Sequence, residues 1–143
     1  MGRGRIADGL TRWLGYSEHV ARMKMLGKML GGAIGVPALP DVPEISVEAF
    51  LREAAGTAVK VVDVREPEEW AAGRMPGSVL MPMGEVAARM RELDPNTPVV
   101  TVCRSGRRSL YSAEELINAG FRDVKSLAGG LIAWVEAGQP LER

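Results

Sequence analysis

Two residue types that enzymes commonly rely on are almost missing from this chain of 143 residues. It has one cysteine, Cys103, and one histidine, His19. A single cysteine excludes an intramolecular disulfide framework and any zinc site built from several thiolates. A single histidine, far upstream, excludes a Ser-His-Asp triad drawn from the main part of the chain and argues against a Cys-His pair. Long apolar runs are missing too. The uncharged stretch from Met29 to Leu39 has eleven residues, well short of the roughly twenty that span a bilayer. Charges interrupt the first 28 residues, unlike the apolar run of a cleaved signal peptide. Net charge is absent, with 18 basic against 18 acidic side chains, so no global field favours nucleic acid as a partner. No metal or cofactor motif is present. The expected compartment is the cytoplasm, which keeps a lone thiol reduced.

The charge that does exist is unevenly spread. Residues 1–40 carry six basic residues (Arg3, Arg5, Arg12, Arg22, Lys24 and Lys28) and two acidic ones, a net of +4. Residues 41–143 carry twelve basic and sixteen acidic ones, a net of −4. Pro37, Pro40 and Pro43 break any helix between the two parts. We therefore divide the chain into a basic N-terminal arm with its linker (1–40) and a domain (41–143). In the arm, Leu10, Trp13, Leu14, Val20, Met23, Leu26, Leu30 and Ile34 recur at helical spacing, and Gly27, Gly31 and Gly35 lie four apart. A helical extension is expected. Packing on its own domain, or on a second copy in a homo-oligomer, is favoured over peripheral membrane contact through residues 1–36.

The domain alternates strand and helix patterns. Ser46 is placed to cap a helix through Ala55, ended by Gly56. Val59–Val64 reads as a buried β-branched strand, and Pro67–Ala72 as a short helix. Val79–Met81 follows as a strand, then a helix over 84–93, then a central strand Val99–Val102. Arg107–Asn118 reads as a helix closed by Gly120, Asp123–Leu127 as a strand and Leu131–Ala137 as the last helix. This order predicts an α/β fold, a mostly parallel sheet covered by helices on both faces. Ligands then gather beyond the carboxyl ends of the strands.

Cys103 stands at such an end, followed by Arg104, Ser105, Gly106, Arg107, Arg108 and Ser109. A lone cysteine closing a buried strand is ordinarily a small hydrophobe. Three arginines within five residues do not fit that role, because arginine rarely lies beside a core thiol without an anion. The seven residues describe an anion cradle in which loop N–H groups, the positive helix end and guanidinium groups stabilise a thiolate. Arg108 is expected to turn its side chain toward the site. A phosphate cradle of the Cys-x5-Arg kind needs arginine at 109, where this chain has Ser109. The shorter ring suits a single sulfur atom better, which leaves a cradle-loop phosphatase or arsenate reductase as the less favoured reading.

Four stretches together resemble a single-domain rhodanese, a sulfurtransferase. They are Val62–Trp70 with its Asp-Val-Arg tract, Gly73-Arg74-Met75-Pro76-Gly77-Ser78, the Cys103 loop, and Leu127–Trp134. The resemblance implies a rhodanese-like fold and transfer of sulfane sulfur from a small anionic donor such as thiosulfate. The acceptor would be a thiol or a protein, reached through a persulfide on Cys103, with no cofactor. A protein-binding sulfur-relay module is the alternative. The resemblance also implies that Asp63 and Arg65 support the loop; an ordinary strand-end ion pair is an equal reading. The family usually has histidine where Arg74 stands. Trp70 and Trp134 read as packing, Glu66, Glu68 and Glu69 as a solvated helix start, and Met75, Met81 and Met83 as core. Gly129-Gly130 reads as a tight turn into the last helix.

Overall fold

A computed structural model describes residues 38–143. The helical arm expected over residues 1–36, with its oligomer or membrane contacts, lies outside the described residues. Five strands form one sheet: β1 (Glu44–Ile45), β2 (Lys60–Asp63), β3 (Val79–Leu80), β4 (Val99–Val102) and β5 (Val124–Leu127). Their order is β1-β5-β4-β2-β3, and every pairing is parallel. β4 therefore lies in the middle, with all four residues buried. An uninterrupted β-branched strand is what a doubly covered parallel sheet requires. β1 was not foreseen. It is two residues long, and its ladder is completed by Ser126 donating to the Pro43 carbonyl (2.9 Å) and Ala128 to that of Ile45 (2.8 Å).

Helices cover both faces. On one, α4 (Arg108–Asn118) packs Leu110, Ala113 and Leu116 on Val62, Val99 and Val124. On the other, α1 (Val47–Gly56) and α5 (Gly130–Glu136) pack Val47, Phe50, Leu131 and Trp134 on Val61, Val100, Val102 and Leu127. Phe50 and Trp134 meet edge to face at 5.9 Å, a favoured aromatic geometry. Trp134 is core, as expected, and its indole N–H reaches the Pro140 carbonyl at 2.8 Å. The Ser46 hydroxyl accepts from the Ala49 N–H at 3.1 Å, capping α1 as the sequence suggests. Between α1 and α4 in the chain come α2 (Pro67–Ala72) and α3 (Val86–Arg89).

Two expectations need correction. The helix over 84–93 is three pieces: a 3₁₀ turn at Met83–Glu85, the single turn α3, and a second 3₁₀ turn at Met90–Glu92. Val86 and Leu93 are buried and Met90 packs partly on the same core, so the expected apolar face is present but is carried by these short pieces and not by one continuous helix. Met75 and Met81 are core, but Met83 is exposed at 36%. Its N–H donates to the Val64 carbonyl at 3.0 Å, so this backbone is tied to the sheet end while the side chain faces out. No helix among the described residues is long and apolar enough to cross a membrane.

Candidate active site

Cys103 follows the last residue of β4, at the carboxyl end of the central strand, and is buried. The chain then curls around its own sulfur. The Gly106 N–H donates to Cys103 Sγ at 3.1 Å and the Ser109 N–H at 3.4 Å, with Ser109 Oγ also at 3.4 Å. Donors converging on one atom stabilise negative charge there. The closing residue of this ring is Ser109, in the first turn of α4, so the positive end of that helix faces the sulfur as well. Thr101 Oγ1 donates to the Ser109 carbonyl at 2.9 Å, pinning the first turn of α4 to β4.

The loop is held from behind by α5. The N–H groups of Leu131 and Ile132 donate to the carbonyls of Cys103 (2.8 Å) and Arg104 (3.0 Å). In a trans peptide the N–H points opposite to the C=O. Pulling these two carbonyls outward thus turns the N–H groups of Arg104 and Ser105 toward the loop interior. The contact requires glycine at two places. Gly106 has φ +93°, and a Cβ on it would lie 3.0 Å from the Gly129 nitrogen and 3.3 Å from the Leu127 carbonyl oxygen. Gly130 has φ +58°, and a Cβ there would lie 2.4 Å from the Cys103 carbonyl oxygen. Gly129-Gly130 is a turn into the last helix, as expected, and also the surface against which the cradle is pressed.

One member of the cluster was not legible in advance. Ser126, fully buried in β5, bonds Ser109 Oγ at 2.7 Å. With one proton per hydroxyl, the pair serves both states of the sulfur. When sulfur is anionic, Ser126 donates to Ser109 and Ser109 donates to Sγ. When sulfur carries a proton, both bonds reverse. The only sequence signal is a serine at an inward position of a buried strand, where a polar group needs a partner.

The arginines divide. Arg104 and Arg107 are exposed on the rim, and among the described residues no carboxylate pairs with either. Arg108 was expected to turn its side chain to the sulfur. Its guanidinium grips Glu69 of α2 through two bonds of 2.8 and 2.9 Å and lies near enough to Cys103 to feel a charge there. A bidentate carboxylate partner at hydrogen-bond distance outcompetes solvent for that fork. Glu69 is therefore no solvated helix-start residue. The bond to Arg108 is the main reason its carboxyl titrates at about 2, against an ordinary 4.5. It also accepts the Glu66 N–H at 3.1 Å in a reciprocal cap of α2. Arg65 doubly clasps Asp63 (Nε–Oδ1 2.9 Å, Nη2–Oδ2 2.8 Å) and donates to the carbonyls of Glu69 (3.2 Å) and Gly73 (2.8 Å). The pair is buried and touches α2, not the cradle. Its link to the cradle runs through Glu69. Arg74 stacks on Trp70, 3.8 Å from the ring centroid, and its backbone bridges Glu142.

A strand-end thiol in a tight loop ring, backed by a glycine-led helix, matches one family throughout. The Rhodanese-like domain model covers residues 46–137. The chain belongs to the rhodanese-like family. Thiosulfate sulfurtransferase GlpE of Pseudoalteromonas translucida is 37% identical over 93 residues, covering 65% of this chain and 89% of that protein. YrkF of Bacillus subtilis, whose name is provisionally that of a sulfur carrier, is 36% identical over 105 residues. The match takes in 73% of this rhodanese-like chain and 57% of that relative's length. The crystal structure of a rhodanese-related protein from Thermoplasma volcanium superposes with a TM-score of 0.65 at 27% identity, covering 70% of this chain and 97% of the other. The fold is therefore the rhodanese fold, and its relatives support sulfur transfer as the general activity.

Proposed function

We propose that Cys103 takes the outer sulfur of a small anionic donor such as thiosulfate and passes it to a thiol or other thiophilic acceptor. The thiolate attacks the sulfane sulfur, the S–S bond of the donor breaks, and sulfite leaves with the bonding pair. The terminal sulfur stays on Cys103 as a persulfide anion. An acceptor such as cyanide then attacks that sulfur, leaving as thiocyanate and returning the thiolate, a two-step exchange. The observation that carries this reading is the Cys103–Ser109 ring whose Gly106 and Ser109 donors close on one sulfur atom. The name of the Pseudoalteromonas relative supports thiosulfate as the donor.

The purified chain is expected to form thiocyanate from thiosulfate and cyanide and to leave aryl phosphates intact. Phosphate release without thiocyanate would reverse the assignment. Loading from thiosulfate with no turnover to cyanide would instead mark a relay that serves one protein acceptor. Ser126→Ala removes one neutral hydrogen bond from the hydroxyl pair. It should lower kcat/KM roughly two- to tenfold, the worth of one such bond, while the fold persists by circular dichroism.

A further inference from the structure

We propose that Glu69 sets the charge the site accepts on its sulfur donor. This inference rests on the sulfur-transfer reading. Three cations flank the cradle, yet they are not equivalent. Arg108 stands next to the closing residue Ser109, and its positive charge is paired with the Glu69 carboxylate. Arg104 and Arg107 stand exposed at the rim. Among the described residues, the cradle therefore presents two uncompensated guanidinium charges, not three.

Glu69 is fixed for this task. Its Oε1 also accepts the Glu66 N–H, and Arg65, locked on Asp63, holds the Glu69 carbonyl. The carboxylate thus cannot swing away from Arg108 without disturbing α2. Its one contact with the ring is the Arg108 guanidinium, so it acts on the donor only through charge and through Arg108. A field from one extra unit charge acts twice as strongly on a dianion as on a monoanion. Compensation of Arg108 thus lowers the preference for dianionic donors and keeps monoanionic donors, such as organic thiosulfonates, within reach. Both carry a sulfane sulfur, and their leaving groups are sulfite and a sulfinate.

The test compares binding of thiosulfate and methanethiosulfonate. It is read by calorimetry on Cys103→Ser with and without Glu69→Gln, so that it needs no turnover. At low ionic strength the ratio of the two affinities should shift roughly threefold toward thiosulfate when Glu69 is neutralised, the effect of one unit charge across several ångströms of wet protein surface. In 1 M salt, where screening acts within about 3 Å, the shift should vanish. Glu69→Ala should behave alike. Because a misplaced loop weakens both donors together, the ratio isolates charge from damage. An unchanged ratio, or a ratio moved toward the monoanion, overturns the inference, as does failure of both donors to bind. Failure of sulfur transfer itself is seen separately, as absence of thiocyanate from the unsubstituted protein.

Discussion

Cys103→Ser is expected to abolish sulfur transfer, with a loss on the order of 10³-fold or more, as when any enzyme loses its nucleophile. The substitution changes one atom. A serine hydroxyl can accept from the Gly106 and Ser109 N–H groups that now face Sγ at 3.1 and 3.4 Å. The ring therefore keeps its donors, and the fold should not suffer, because the residue is buried and its volume changes little. What disappears is a polarisable nucleophile able to hold a second sulfur. Mass spectrometry gives the direct readout. After thiosulfate, the unsubstituted chain should be heavier by one sulfur atom, and cyanide should remove the increment. The serine variant should stay at its own mass throughout. Since Cys103 is the only cysteine, an added sulfur has no other thiol to sit on. Thiocyanate formation retained by Cys103→Ser would sink the persulfide mechanism, whatever the fold resembles.

The parts of this molecule that follow from local pattern were legible in the sequence. β4 is a β-branched run, and its burial on both sides follows from that. The thiol, glycine and arginines of the loop fall within six successive positions, so a ring could be inferred from spacing alone. Two kinds of feature were hidden. The first is short structure held by its neighbours. β1 has two residues and no pattern of its own, and the 84–93 stretch shows a helical face whose backbone is nonetheless divided into short turns. The second is pairing across distance. Arg108 and Glu69 lie 39 positions apart, and Ser109 and Ser126 lie 17 apart. Neither pair has a periodic signature. A carboxylate at the start of a helix is most simply a solvated one, and the sequence contains nothing to contradict that for Glu69. Only the packing of α2 beside the cradle brings it to the Arg108 fork. Asp63 and Arg65 illustrate the middle ground, since their ion pair could be read from adjacency but its grip on the carbonyls of Glu69 in α2 and Gly73 just after it could not.

Gly130→Ala should be the most damaging substitution outside the ring itself. Its φ of +58° places it in the left-handed region, where alanine costs about 1 kcal/mol. That term alone is modest. The larger one is contact: the new methyl would lie 2.4 Å from the Cys103 carbonyl oxygen, 2.6 Å from that of Arg104 and 2.7 Å from the Arg104 carbonyl carbon. All three are backbone atoms, so no rotamer change relieves the overlap. Either α5 moves off or the loop does, and the bonds from Leu131 and Ile132 to those carbonyls break in both cases. Losing two buried hydrogen bonds on top of the strain should cost about 2–4 kcal/mol. The same movement frees the first two peptide planes of the ring. Displacing catalytic donors by about 1 Å is enough for a 10²-fold loss. Gly77→Ala supplies the control, because Gly77 has φ +73° and nothing within 4 Å of a new Cβ. It should show the left-handed penalty of about 1 kcal/mol and full sulfur transfer. Thermal unfolding and thiocyanate formation measured on both variants separate the two effects. If Gly130→Ala were no worse than Gly77→Ala in either measurement, the pressure of α5 on the cradle would not be what shapes the ring.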